Sequence, residues 1–153
     1  MIAGALVASL AVGVGGCGGS SSGPLTQAQF ASRGNEVCRK SNTEQAALTG
    51  TEPATMAGLG AEALKLEPIA NELVGGLSSL HPPLRERSLW NKYVADGRID
   101  ISLLETLHAA ALAGDTTQVQ TALITLQSLA DDAIANALGL TQCAINVGPQ
   151  TTT

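Results

Sequence analysis

The sequence predicts an all-α protein built as a four-helix up-down-up-down bundle. From Thr26 onward, apolar residues recur every three or four positions, which is the spacing of amphipathic helices. Glycine and proline residues divide this region into four segments with short connections. Of the 153 residues, 44% are hydrophobic but only 2% are aromatic, so we expect one domain with an aliphatic, alanine-rich core.

The chain begins with a run of apolar and small residues from Met1 to Gly16. The segment 2–14 is too short to cross a hydrocarbon core that needs about 20 apolar residues, and it fits the core of a signal peptide better. Val14-Gly15-Gly16-Cys17 resembles the lipobox of bacterial lipoproteins. The resemblance implies a signal peptide over 1–16 and acyl chains such as palmitate on Cys17, which would anchor the protein at the extracytoplasmic face of the cell membrane.

Two alternatives for this segment remain open, an ordinary cleaved secretory signal and an uncleaved apolar tail. No charged residue precedes Arg33, whereas signal peptides usually begin with basic residues, so the true start can lie upstream of Met1. We assign 17–24 to the lipidated cysteine and its tether. The Gly/Ser composition of this tether predicts a flexible coil that reaches about 15 Å.

The two remaining cysteines, Cys38 and Cys143, form an even pair near opposite ends of the mature chain. Because an export signal places the chain in an oxidising compartment, we predict a disulfide between them. The alternative is two buried free thiols. A closed loop of about 100 residues would stabilise the fold by roughly 4 to 5 kcal/mol in the chain-entropy model.

The bundle domain is predicted over 25–148 and a disordered tail over 149–153. The first helix is expected over 26–48, with Thr26 and Gln29 forming a capping box. The second is expected over 54–80, with Pro68 producing a kink rather than a break. Its inner stripe consists of Met56, Leu59, Ala63, Leu66, Ala70, Leu73, Leu77 and Leu80.

The third helix is expected over 84–113, with a kink or short break at Asp96-Gly97 and Asp100 as a cap for its second half. Gly114 and Asp115 predict a sharp junction to the fourth helix, with Gln118 three residues after the capping aspartate. Gly139 and Leu140 predict the end of that helix. Its inner stripe is predicted to comprise Val119, Leu123, Leu126, Ala130, Ala133 and Ala137.

Four short patterns accompany these elements: Phe30 with Asn35-Glu36-Val37-Cys38, Leu80-His81-Pro82-Pro83, the junction 111–115, and Leu-Gly-Leu-x-x-Cys over 138–143. Together they resemble a group of small uncharacterised lipoproteins and secreted proteins of actinobacteria, over nearly the whole mature chain. The resemblance implies an exported helical domain and brings no activity with it.

Glu105 and His108 have the Glu-x-x-His spacing of di-iron bundles, but the second copy that such a site requires is missing. A metal-dependent or hydrolytic site around these two residues is therefore the alternative interpretation, and they are weak candidates for metal ligands. We expect no catalytic residues and no cofactor. A solvent-facing or hydrogen-bonded histidine is the favoured interpretation of His108.

The net charge is −5, with no cluster of Lys and Arg, so nucleic-acid binding is disfavoured and membrane attachment is left to the lipid. The expected function is that of a lipid-anchored binding or structural protein of the cell envelope rather than an enzyme. Its partner would be an envelope protein or a small ligand that the sequence does not identify.

Overall fold

The structure is a computed structural model, and it describes residues 23–48, 53, 55–129 and 132–144. The predicted signal peptide 1–16, the lipid site Cys17, most of the tether and the tail 149–153 lie outside these residues. None of the described helices is long and apolar enough to cross a membrane.

The predicted all-α bundle is confirmed, and no strand occurs in the part of the chain that the structure describes. Helix α2 packs against α1 on one side and α3 on another, and α3 also packs against α4 and α5. The up-down-up-down order remains a prediction. The elements are α1 (Gln27–Leu48), α2 (Met56–Ser78), a 3-10 turn (Leu84–Glu86), α3 (Arg87–Ala113), α4 (Thr116–Leu129) and α5 (Asp132–Ala137).

Polar side chains cap the starts of α1, α2 and α4. Both bonds of the predicted capping box form, since the Gln29 N–H donates to Thr26 Oγ1 over 3.3 Å and the Thr26 N–H to Gln29 Oε1 over 3.1 Å. Asp115 accepts from the Gln118 N–H, as predicted. Thr55 caps α2 by accepting from the Gly58 N–H, a cap that the sequence analysis missed.

Two helix ends use a glycine in the left-handed region, where a residue without Cβ meets no steric penalty. Gly114 has φ 70° and Gly139 has φ 78°. The N–H of the residue after each glycine bonds back five residues, from Asp115 to Ala110 and from Leu140 to Ala135. These are Schellman endings, and they confirm the stops predicted at both glycines.

Of the kink or short break expected at Asp96-Gly97, the break is wrong, because α3 continues through both residues. A Cβ on Gly97 would lie 2.9 Å from Val74 Cγ2, so the glycine serves the close approach of α3 to α2 instead of ending a helix. Asp100 consequently lies inside α3 and cannot act as an N-cap. Pro68 lies inside a single continuous α2, as predicted.

The predicted fourth stripe is also wrong in its last part. The described residues form α4 up to Leu129 and α5 from Asp132, and 130–131 lie outside them. Ala133 and Ala137 are exposed, whereas Ile134, Ala135 and Leu138 are buried. The buried residues of α5 therefore do not continue the predicted stripe, and they pack in one hydrophobic cluster with Trp90 and Val94 from the first half of α3.

Two hydrophobic clusters form the interior, one toward each end of the α2 and α3 pair. The aromatic core contains the three aromatic residues, with Phe30 edge-on to Trp90 at 4.9 Å between ring centroids and Tyr93 6.1 Å from Trp90. This geometry adds a specific attraction to the burial of each ring. The buried members of the aromatic core are Leu25, Phe30, Cys38, Leu77, Trp90, Val94, Ile134, Ala135, Leu138 and Leu140.

The alanine core is built from small residues on α2, α3 and α4. A Cβ on Gly60 of α2 would lie 3.0 Å from Ala111 Cβ and 3.4 Å from the carbonyl oxygen of His108 on α3. The small side chains therefore allow the two backbones to approach closely, as the alanine-rich composition predicted. Its buried members are Ala63, Leu107, Ala110, Ala111, Val119 and Ala122.

Candidate functional site

The described chain begins beside the loop that joins α2 to α3. The Leu25 N–H donates to the carbonyl oxygen of His81 over 2.9 Å, and the Leu25 side chain is only 8% exposed. Cys17 itself lies outside the described residues. The structure thus fixes where the chain that follows Cys17 joins the domain, while the lipid at Cys17 remains a prediction.

Cys38 and Cys143 are paired, as predicted, in a disulfide whose Cα atoms lie 5.1 Å apart. The final turns are also held to α1 by the amide side chain of Asn35, which belongs to the Asn35-Glu36-Val37-Cys38 pattern. Asn35 Nδ2 donates to the Gly139 carbonyl over 3.0 Å, and Asn35 Oδ1 accepts from the Gln142 N–H over 2.8 Å. The disulfide therefore belongs to a structural attachment, and Cys38 is 2% exposed within it.

The structure does not bring Glu105 and His108 together with further metal ligands. His108 Nδ1 lies 2.8 Å from the Gly60 carbonyl oxygen, which can only accept, so this nitrogen carries the proton. Glu105 is exposed. Among the described residues, no group of three His, Cys, Asp or Glu side chains could hold a metal ion. His108 connects α3 to the backbone of α2 at the close contact of Gly60.

A groove of about 720 Å³ lies between α1 and the second half of α2. We call it the α1–α2 groove. Its volume falls in the range of about 300 to 1,000 Å³ that is common for ligand sites. It is lined by Arg33, Glu36, Val37, Arg39, Lys40, Ser41, Thr43, Glu44, Glu72, Leu73, Gly76, Ser79 and Leu80.

The helices can form this groove because they touch closely at one point. A Cβ on Gly76 of α2 would lie 2.9 Å from Val37 Cγ1 of α1. The more polar walls lie to the side of this contact, where Lys40 of α1 forms an ion pair with Glu72 of α2 and lies 3.7 Å from Glu44. The hydrogen bond to Glu72 raises the pKa of the Lys40 ammonium.

The remaining cations of the groove are not neutralised in this way. Arg33 and Arg39 are exposed, and neither forms an ion pair with another described residue. Apolar contact is available beside them from Val37, Leu73 and Leu80, which are partly buried. The groove therefore offers an apolar floor with guanidinium groups at its margin. Sequence reasoning missed it, because no motif marks a surface assembled from two helices.

Asp100, which was predicted to cap a helix, lies inside α3. It lies on α3 between Val94 of the aromatic core and Leu107 of the alanine core, and its Oδ1 is buried without a hydrogen-bond partner among the described residues. Burial, and to a smaller extent the charge of Asp96, raises the pKa of the Asp100 carboxyl to about 6. This carboxyl is a source of instability where the two cores meet.

Comparison with models of protein families, with curated proteins and with solved structures finds no match to this chain.

Proposed function

We propose that this chain is a lipid-anchored extracytoplasmic protein of the cell envelope, and that it acts by binding rather than by catalysis. The observation that carries the proposal is the Val14-Gly15-Gly16-Cys17 pattern at the end of an apolar segment, followed by a Gly/Ser tether. Two acyl chains or more are needed for stable anchoring, because one chain binds a bilayer only marginally. The resemblance to small actinobacterial lipoproteins belongs to the same proposal.

The pairing of the other two cysteines supports this assignment. Cys38 and Cys143 are joined to each other, so Cys17 is the remaining one of the three cysteines in the sequence. Disulfides persist in exported proteins and are rare in reducing compartments. A chain with one disulfide and one cysteine directly after an apolar leader fits an exported lipoprotein.

Cell fractionation tests the anchor. The wild-type protein and a Ser20→Ala control are expected in the membrane fraction and in the detergent phase on partitioning. Cys17→Ser should appear outside the membrane fraction or accumulate as an unprocessed precursor, because it has no thiol to acylate. Retention of Cys17→Ser in the membrane at the processed size would contradict the proposal.

The binding surface that we propose is the α1–α2 groove, where apolar floor residues adjoin Arg33 and Arg39, which form no ion pair with another described residue. Two exposed threonines allow a matched test, since Thr43 lines the groove and Thr121 lies on α4. The hydroxyl of each threonine donates to the backbone carbonyl four residues earlier over 2.9 Å, so the two side chains make the same hydrogen bond within their helices.

A photo-crosslinking amino acid at position 43 should capture a defined envelope component in intact cells, and the same group at position 121 should not. Equal labelling at both positions, or no adduct at position 43, would contradict a role for the groove. Since Thr43 is exposed, the substitution leaves both cores intact.

A further inference from the structure

The point at which the domain is tethered lies at one end of the α2 and α3 pair. Leu25 is bonded to His81, in the α2–α3 loop of residues 79–86. Eight residues lead from Cys17 to Leu25. They span at most about 28 Å when fully extended, and about 16 Å as a flexible coil. A lipid on Cys17 would therefore keep the α2–α3 loop close to the bilayer.

The side chains that this loop exposes suit a membrane surface. Leu84 is 69% exposed, the highest value among the large exposed apolar side chains of the described residues. The Arg85 side chain is 74% exposed, and Arg87 at the start of α3 is exposed as well. Glu86 lies 3.0 Å from Arg85 but is only 19% exposed, so the outward surface is apolar and basic. Apolar side chains beside guanidinium groups bind interfaces that contain anionic lipids.

The opposite end of the α2 and α3 pair is acidic. It carries the α3–α4 turn with the exposed Asp115. The first half of α2 and the second half of α3 add acidic side chains. Lys65 is the basic residue in this half of α2. The acidic side chains are Glu62, Glu67 and Glu105. An anionic surface would attract the loop end and repel the turn end.

We propose that the α2–α3 loop docks on the anionic membrane surface that holds the lipid anchor. Leu84 enters the interfacial region, and Arg85 and Arg87 contact lipid phosphates. The acidic α3–α4 turn then points away from the membrane. This inference rests on the lipid anchor proposed at Cys17, and it adds a fixed orientation to what would otherwise be a freely swinging domain.

Tryptophan fluorescence tests the orientation, because the native Trp90 is 3% exposed and gives a constant background. Leu84→Trp and Leu112→Trp form a matched pair, since Leu112 is 66% exposed near the α3–α4 turn. The full chain is reconstituted in phosphatidylglycerol and phosphatidylcholine vesicles that carry brominated acyl chains. The indole of the Leu84→Trp variant should be quenched strongly, and that of the Leu112→Trp variant no more than the wild-type background.

The arginines provide a second readout. Arg85→Gln together with Arg87→Gln should reduce the quenching of the Leu84→Trp variant, and so should vesicles of phosphatidylcholine alone or added salt. Arg98→Gln is the control, because Arg98 is exposed on α3 away from the loop. Equal quenching of the two tryptophan variants, or quenching that ignores lipid charge, would overturn the proposal. Equal quenching would leave the loop free for a protein partner.

Failure of the anchor is measured separately by flotation of the protein with the vesicles. If cells add no lipid, the Cys17 thiol can be coupled to a maleimide phospholipid, because the other two cysteines are joined to each other. The quenching experiment on that preparation tests docking alone. Quenching of the Leu84→Trp variant there supports the docking surface, and its absence refutes it, whatever the fate of the natural anchor.

Discussion

The aromatic core and the alanine core of this protein are held together in different ways. The aromatic core joins residues from both ends of the described chain, from Leu25 to Leu140, and the Cys38 to Cys143 disulfide lies within it. The alanine core uses α2, α3 and α4 alone, which follow one another in sequence. A core made of distant segments depends on a covalent link and large rings, whereas a core made of consecutive helices can rely on close backbone contact.

Loss of the disulfide should cause the largest change in the free energy of unfolding. The bond joins residues 105 apart in sequence, so Cys38→Ser with Cys143→Ser should lower the free energy of unfolding by about 4 to 5 kcal/mol in the chain-entropy model. Urea unfolding followed by Trp90 emission measures the change. Reductant should then affect the wild type and leave the double variant unchanged. Equal stability of the two proteins would show that the aromatic core does not depend on its covalent link.

Leucine truncation distinguishes the cores by what it perturbs. Leu140→Ala and Leu107→Ala each remove a buried leucine, at 0% and 4% exposure, and each should cost about 3 kcal/mol in the free energy of unfolding. Only Leu140→Ala should also shift the emission of the folded protein, because Leu140 shares a core with Trp90. A shift caused by Leu107→Ala would mean that the two clusters behave as one.

Asp100 lies where the cores meet, and its titration should be visible in stability. Its folded pKa of about 6 is above the ordinary value of 3.8, so folding favours the protonated form. The contribution of Asp100 to stability is therefore most favourable at low pH and is lost as the pH rises from about 4 through about 6. Asp100→Asn should raise the free energy of unfolding at pH 7 by about 1 to 2 kcal/mol and flatten this pH dependence.

Glu105→Gln is the control for that substitution, because Glu105 is an exposed carboxylate on the same helix. Urea unfolding across this pH range measures both variants. A pH dependence of the Asp100→Asn variant that equals the wild type would contradict the assignment of the carboxyl.

The smallest expected change in stability distinguishes two adjacent glycines of α2. A Cβ at Gly75 meets nothing within 4 Å, so Gly75→Ala should stabilise the protein by about 0.5 to 1 kcal/mol through helix propensity. A Cβ at Gly76 would lie 2.9 Å from Val37, so Gly76→Ala should lose that gain or destabilise. Thermal unfolding measures the difference. Equal gains would show that α1 can move away from α2 at no cost.

Local signals predicted the helix ends well, because caps and left-handed glycines act within a few residues. The predicted caps form at Thr26 and Asp115, and the predicted helix ends have a left-handed glycine at Gly114 and Gly139. Errors arose where a distant residue decides the outcome. Gly97 predicted a kink or short break, but a Cβ at this position would lie 2.9 Å from Val74 Cγ2, so the glycine serves a close crossing of α3 and α2.

The same reason explains why the candidate surfaces were not foreseen. The α1–α2 groove exists because α1 crosses α2 at Gly76, and the α2–α3 loop is linked to the tether only through the Leu25 to His81 bond. Asp100 was expected to cap a helix because the break before it was wrongly placed. By contrast, the paired cysteines followed from counting thiols once Cys17 had been assigned to the lipid.

The central claim is that the chain is anchored through a lipid on Cys17, and mass spectrometry of the N-terminal peptide from purified membranes tests it most directly. We predict a peptide that begins at Cys17 and carries the mass of a diacylglyceryl group with a further acyl chain or a free amine. An unmodified Cys17, or a mature chain that begins at another residue, would contradict the claim.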